Sequence, residues 1–306
     1  MKDAFVHTFA QMGTVVAMQI VGHGASERAR RERKRGVDRA VAWFERIEAV
    51  CSRFDAQSEL RQLSTRVGQP VPVSPLLFEA VQFALAVAYE TQGAFDPTVG
   101  HRMEARGFNV EYRSGDVVQS HVDAPPDVSY RDVELDVRTH TITLHRPVLF
   151  DLGAVAKGLA LDMAARELSP LINFAIDAGG DLFLGGHNFD GAEWTVGIRH
   201  PRDVTQMFET VHVSDHAVCT SGDYVRHVHG MPTVHHIMQP RTGVSTTALA
   251  SVTVIATSAM VADAFATAAF VLGPIDGLAL LHRHELRGMM VTPTLERIAT
   301  TGFNHA

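Results

Sequence analysis

The stretch from Thr257 to Gly273 limits the fold more than any other part of the chain. It is apolar almost all round and carries one charge, Asp263. The spacing predicts a helix, with Ser258 as N-cap and Gly273-Pro274 as its stop. A helix that is apolar on every side has to be buried. A buried carboxylate then needs a partner cation or several donors. Asp263 and Thr267 are four residues apart, so their oxygens leave the same face. A carboxylate and a hydroxyl side by side suit a hard cation such as Mg2+. The dipole of a helix N-terminus accounts for a lone acid equally well.

A chain of 306 residues is long enough to bury a substantial core, as one large domain or two. Its composition is that of an ordinary globular protein, and its formal charge of −7 argues against a general nucleic-acid binder. Cys51 and Cys219 stand far apart with no CxxC, which excludes a disulfide framework and a zinc ribbon. The N-terminal residues show no apolar signal core, cleavage site or lipid-attachment cysteine, and no run is read as long enough to span a bilayer. The expectation is a cytoplasmic protein, or a periplasmic one if a leader has been removed.

Elsewhere helices and strands alternate without a regular βαβ rhythm, the signature of an α+β fold with mixed, largely antiparallel sheets and packed helices. No repeat or clean domain boundary interrupts it. A strand is expected from Met12 to Val21. The basic run from Arg28 to Arg35 reads as the solvated start of a helix whose stripe is Val37, Val41, Phe44, Ile47 and Val50. A second helix opens at Ser74-Pro75 and ends near Gly93. A hairpin spans Val133 to Leu144, and a short buried strand Val148 to Phe150 precedes a helix from Val155 to Leu168. Strands follow around Phe174–Ile176, Trp194–Ile198, Val211–Val213 and Ser251–Ala256, with a last one at Met289–Thr292.

Several segments have the chemistry to bind a ligand. Asp151-Leu152-Gly153-Ala154-Val155-Ala156-Lys157-Gly158 places glycines and a lysine where a strand turns into a helix, a position that offers free N–H groups to phosphate. A cation in a first helical turn opposes the dipole, and a bound phosphate would remove that conflict. An ordinary βα turn with a solvent-facing lysine fits the same residues. Asp177-Ala178-Gly179-Gly180-Asp181 suits either a tight turn against a ligand or a plain hairpin. Gly93-Ala94-Phe95-Asp96-Pro97-Thr98 offers an aromatic ring for stacking or an anchored loop. Thr220-Ser221-Gly222-Asp223-Tyr224 reads as a polar loop of the kind that positions ligands. His227, His229, His235 and His236 are close in sequence but match no zinc spacing. His236, before Gln239-Pro240-Arg241-Thr242-Gly243, is the natural proton carrier. Walker A, GxGxxG, GxSxG, HExxH and EF-hand patterns are absent.

In this order, and with Met12-Gly13-Thr14, Ser52-Arg53-Phe54, Ser58-Glu59-Leu60 and Trp194 to Pro201 added, the segments resemble the FAD:protein FMN transferase (ApbE-type) family over most of the chain. The resemblance implies a T-fold-like core in a single domain over 1–306, with room for two subdomains meeting at an FAD cleft. It implies a Mg2+-dependent enzyme that splits FAD at its diphosphate, attaches FMN to a threonine hydroxyl of an acceptor flavoprotein and releases AMP. By the same resemblance, Asp263 and Thr267 hold Mg2+ through side-chain oxygens, and Ala154 and Ala266 through their carbonyls. Met12, Phe54, Ala94, Phe95, Asp96, Asp151, Lys157 and Ile237 match positions that contact FAD. His236 and Asp263 match catalytic positions, His236 as a base for the incoming threonine or as an aid to phosphoryl transfer. Neither a nucleic-acid partner nor a membrane span is implied. The family often has an acid where Gln239 stands; if that acid orients His236, glutamine stabilises an imidazolium less well. An FAD pyrophosphatase and a non-catalytic FAD-binding protein are the alternatives.

Overall fold

The computed structural model describes residues 4–228 and 231–303. In chain order the elements are β1 (Ala4–Gln11), β2 (Thr14–Val21), α1 (Glu27–Cys51), α2 (Glu59–Ser64), β3 (Pro70–Pro72), α3 (Pro75–Glu90) and α4 (Gly100–Ala105). There follow β4 (Val133–Asp136), β5 (Thr141–Leu144), α5 (Gly153–Leu168), β6 (Phe174–Ala178), β7 (Asp181–Gly185), β8 (Trp194–Arg199) and β9 (Met207–Val213). The last are β10 (His216–Gly222), β11 (His227–Val228), β12 (Met231–His235), β13 (Ser251–Ala256), α6 (Ala259–Arg283), β14 (Arg287–Val291) and β15 (Arg297–Ala299). An eight-stranded sheet runs β1-β2-β6-β7-β10-β13-β14-β15 with every neighbour antiparallel. The fold is α+β, as expected.

Both faces of this sheet are covered. Side chains alternate across a strand. Val254, Cys219 and Met290 join the core cluster shared with the helices, whereas their neighbours Ile255, Val218 and Met289 join a second cluster with Trp194, Val196 and Val213 of the β8–β9 hairpin. Burial on both faces explains why every residue of β13 is buried, Ser251 and Thr253 among them.

α6 is the buried helix expected from its composition, capped by Ser258, whose hydroxyl accepts from the Val261 N–H at 3.3 Å. By length and apolarity alone it would cross a bilayer, contrary to the sequence reading, but it packs inside the protein and breaks at Gly273. Gly273 takes φ +81°, open to glycine, and Pro274 restarts the helix instead of ending it.

Other expectations need correction. Met12 to Val21 is not one strand. Met12 and Gly13 form the turn between β1 and β2, with φ of 52° and 72°; positive φ at both central residues matches the strand twist of a tight hairpin. Val148–Phe150 is buried but carries only an isolated bridge, Val99 to Leu149. Thr220–Gly222 belongs to β10, because hydroxyl side chains there pair across strands instead of facing water: Thr220 Oγ1 meets Thr253 Oγ1 at 2.9 Å. β15 follows the strand taken as last. Both cysteines are buried and free.

Candidate active site

The site is built where α5 crosses the start of α6. A Cβ on Gly158 would lie 2.4 Å from the Met260 Cα and 2.6 Å from the Ala259 carbonyl oxygen, so only glycine permits this approach. One turn on, Asp162 caps α6. It accepts from the Ala259 N–H at 2.7 Å, the Met260 N–H at 3.1 Å and the Ser258 hydroxyl at 2.7 Å. Burial pushes its carboxyl above the usual range, and these donors pull it back.

This crossing places Lys157 beside α6. Its ammonium contacts Asp181 and lies 3.5 Å from Asp263 Oδ2. Both carboxylates are buried, with 5% and 6% of their residues exposed. Asp181 opens β7 just after the Gly179-Gly180 turn, and its Oδ1 accepts from the Thr220 N–H at 3.2 Å. Thr267, one turn beyond Asp263, shares a 2.9 Å hydrogen bond with the Ser221 hydroxyl. Ala266 is fully buried between Asp263 and Thr267, and Ala154 sits in the first turn of α5. The set of carboxylate, hydroxyl and carbonyl oxygens is hard, and among the described residues the one ion pair of Asp263 is with Lys157. That chemistry fits a divalent cation such as Mg2+.

Asp151 stands two residues before the start of α5. Its Oδ1 accepts from the Gly153 N–H at 2.8 Å, and its Oδ2 pairs with Arg53 Nε at 2.7 Å. Arg53 lies over the Phe54 ring at 4.2 Å and donates to the Phe108 carbonyl. The Ala94–Thr98 strap is tied alongside, the Asp151 N–H donating to the Pro97 carbonyl at 2.7 Å. Phe95 is packed in the main core, so a buried ring anchors the strap. Asp96 braces the same strap, accepting from Thr98 Oγ1 at 2.7 Å and the Tyr130 N–H at 3.1 Å.

His236 closes the far side. Its ring stands edge-on to Phe108 at 6.5 Å, and its Nδ1 is buried with no hydrogen-bond partner among the described residues. Burial, reinforced by the Arg226 guanidinium, pushes its pKa down to about 3, so the ring is neutral. Ile237 is buried in the core beside it. Gln239 does not orient His236. Its Oε1 accepts from the N–H groups of Arg241 at 2.6 Å and Thr242 at 3.1 Å, tightening the turn after it. Met12 reaches this flank through the hairpin turn: its N–H donates to Glu48 Oε1 at 2.9 Å, and a Cβ on Gly13 would lie 3.9 Å from Arg226 Nη2. His227 and His235 face each other in the β11–β12 ladder, His229 lies outside the described residues, and among the described residues no three His, Cys, Asp or Glu side chains form a metal cluster.

Contacts thus join Arg226, His236, Phe108, Arg53 and Asp151 in one series and Lys157, Asp181 and Asp263 in a second, with Asp151 just before α5 and Lys157 within it. The ApbE family model matches residues 12–290. The chain belongs to the ApbE family. Among curated ApbE relatives, the FAD:protein FMN transferase of Vibrio cholerae is 30% identical over 259 residues, 82% of this chain and 77% of that protein. That of Escherichia coli strain K12 is 32% identical over 234 residues, 73% and 66%. Among solved structures, the ApbE protein of Thermotoga maritima superposes with a TM-score of 0.85 at 28% identity, covering 98% of both chains. The flavin transferase ApbE from Vibrio cholerae gives 0.84 at 26% identity, covering 99% of each.

The sequence reading missed Asp162 as the cap of α6, Asp181 as a partner of Lys157, and Ser221 as a partner of Thr267. Gly158 and Asp162 are four apart on one helix face, a spacing that signals close helix contact followed by a cap. Nothing local announces the other two pairs, which join residues 24 and 46 positions apart (181 − 157 and 267 − 221).

Proposed function

We propose that this protein splits FAD at its diphosphate and transfers FMN to a threonine hydroxyl of an acceptor flavoprotein, releasing AMP, with Mg2+ bound by Asp263, Thr267 and the carbonyls of Ala154 and Ala266. The observation that carries this reading is the meeting of the Lys157 ammonium and the buried Asp263 carboxylate, 3.5 Å apart, beside Thr267. The names printed for the relatives support it. A bound divalent cation neutralises charge on the non-bridging phosphate oxygens.

The chain's own residues do the rest. Lys157 is placed to balance phosphate charge as the acceptor oxygen approaches phosphorus. Met12, Phe54, Ala94, Phe95, Asp96, Asp151 and Ile237 border the flavin dinucleotide, several of them through backbone that Glu48, Thr98 and Gly153 contacts hold rigid. The acceptor's O–P bond forms as the P–O bond to AMP breaks, and the threonine proton passes to neutral His236. A dianionic diphosphate near this ring raises its proton affinity from the low value of the free protein.

The test is incubation with FAD, Mg2+ and a cognate acceptor, read by in-gel flavin fluorescence and intact mass. The expected result is an acceptor heavier by one FMN, on threonine. Release of FMN and AMP with no labelled acceptor would establish hydrolysis instead, and tight FAD binding without turnover a binding protein.

A further inference from the structure

Lys157 is held in an unusual way. It is the fifth residue of α5, one turn in from the helix start. Two buried carboxylates from different elements, Asp181 at the head of β7 and Asp263 within α6, hold its ammonium. The two grips are unequal. The ammonium contacts Asp181 directly, while Asp263 stands at 3.5 Å, the outer limit of a hydrogen bond. Asp181 is itself fixed, its other oxygen engaged by the Thr220 N–H. Asp263 has no such second anchor among the described residues.

We infer that Asp181 is a positioning residue for Lys157, and that the Lys157 ammonium acts as a tethered stand-in for the cation beside Asp263 until metal and dinucleotide arrive together. A charge of +1 beside Asp263 repels an incoming divalent ion, so the ligand-free site binds metal weakly. When phosphate enters, the ammonium has a new partner and releases Asp263, while Asp181 keeps it at the site. The inference rests on the metal assignment of the proposed function.

The test uses the full chain and Mn2+ as the probe, with free Mn2+ followed by electron paramagnetic resonance, with and without FAD. Lys157→Met keeps the length of the stem and removes the charge. It should bind Mn2+ about tenfold more tightly than the wild type in the absence of FAD. The gain in Mn2+ affinity on adding FAD should shrink to match. Asp181→Asn leaves Asp263 as the only carboxylate for the ammonium, so Mn2+ binding without FAD should weaken several-fold. That loss should vanish in the Lys157→Met background, because Asp181 acts through Lys157. Thermal melts check that each variant folds, and Lys157→Gln repeats the measurement if Lys157→Met does not.

Equal or weaker Mn2+ binding by Lys157→Met overturns the stand-in role. An equal loss on Asp181→Asn in both backgrounds overturns the positioning role, since Asp181 would then act on the metal directly. In either case, Mn2+ binding with FAD that still depends on Asp263 leaves the proposed function intact. Mn2+ binding indifferent to Asp263→Ala overturns both.

Discussion

At the scale of single residues, the site divides its carboxylates by task. Asp162 and Asp96 spend their oxygens on backbone and hydroxyl donors, while among the described residues Asp263 keeps only the long contact to Lys157. Asp263→Ala should therefore leave the fold standing, with Lys157 still paired to Asp181, and lower Mg2+-dependent transfer by about 100-fold or more, the scale of metal charge stabilisation. Steady-state rates and a melting curve check both halves; unchanged turnover would remove the metal assignment. His236 makes a separate prediction. Its folded pKa is depressed to about 3 from 6.5, so the unfolded chain binds the proton more readily in that window. Its contribution is complete above about pH 6.5 and is lost as pH falls toward about 3. His235 and His101 are pushed down by burial in the same direction. Replacing His236 with glutamine should make the fall in unfolding free energy between about pH 6 and about pH 4 shallower, by about 1.4 kcal/mol per pH unit at most. Urea titrations across that range measure it, and parallel slopes would mean that the ring is protonated in the folded protein. The same variant should slow transfer more than it weakens FAD binding.

At the scale of elements, the closeness of α5 and α6 is what brings Lys157 to Asp263. Gly158→Ala puts a methyl 2.4 Å from the Met260 Cα, a backbone atom with no rotamer to give. The helices must separate, at a cost of about 1–3 kcal/mol. The separation also carries Lys157 away from Asp263, so thermal stability and turnover should fall together. Activity retained at a lowered melting temperature would show that the crossing is structural only. The helices were the most legible part of the sequence. Ser74 and Ser258 cap α3 and α6 as expected, because capping is a local event within one turn. β10 was not legible as a strand, since Thr220 and Ser221 look like loop residues until Thr253 and Thr267 satisfy their hydroxyls from other elements. β1 was missed for a related reason. It is an edge strand with no fully buried residue, so no strong apolar face marks it.

At the scale of the whole molecule, the sheet order places distant segments side by side. β2 pairs with β6 in the register Val16 to Ala178, more than 150 residues on, and this pairing sets the Met12–Gly13 turn and the Gly179–Gly180 turn at the same end of the sheet. A Cβ on Gly179 would lie 2.2 Å from Thr14 Oγ1, which shows how closely the two turns approach. Such pairings are invisible to periodicity, so the candidate site residues are legible only by resemblance and their partners not at all. The consequence for the proposed site is that its residues come from well-separated stretches: 12–13, 53–54, 94–98, 151–157, 181, 221, 236–237 and 263–267. A ligand that touches several of them binds only the folded chain and stabilises it by mass action. With FAD and Mg2+ each at 100 times its dissociation constant, the two sites together add up to about 5 kcal/mol, and either alone about half as much. At roughly 2–4 °C per kcal/mol for a chain of this size class, the melting temperature should rise by about 10 °C or more with both and by about half as much with FAD alone. Chelation with EDTA should return the curve to the FAD-only position. A shift with FAD that is indifferent to Mg2+ and EDTA would mean that flavin and metal do not share one site beside Lys157 and Asp263.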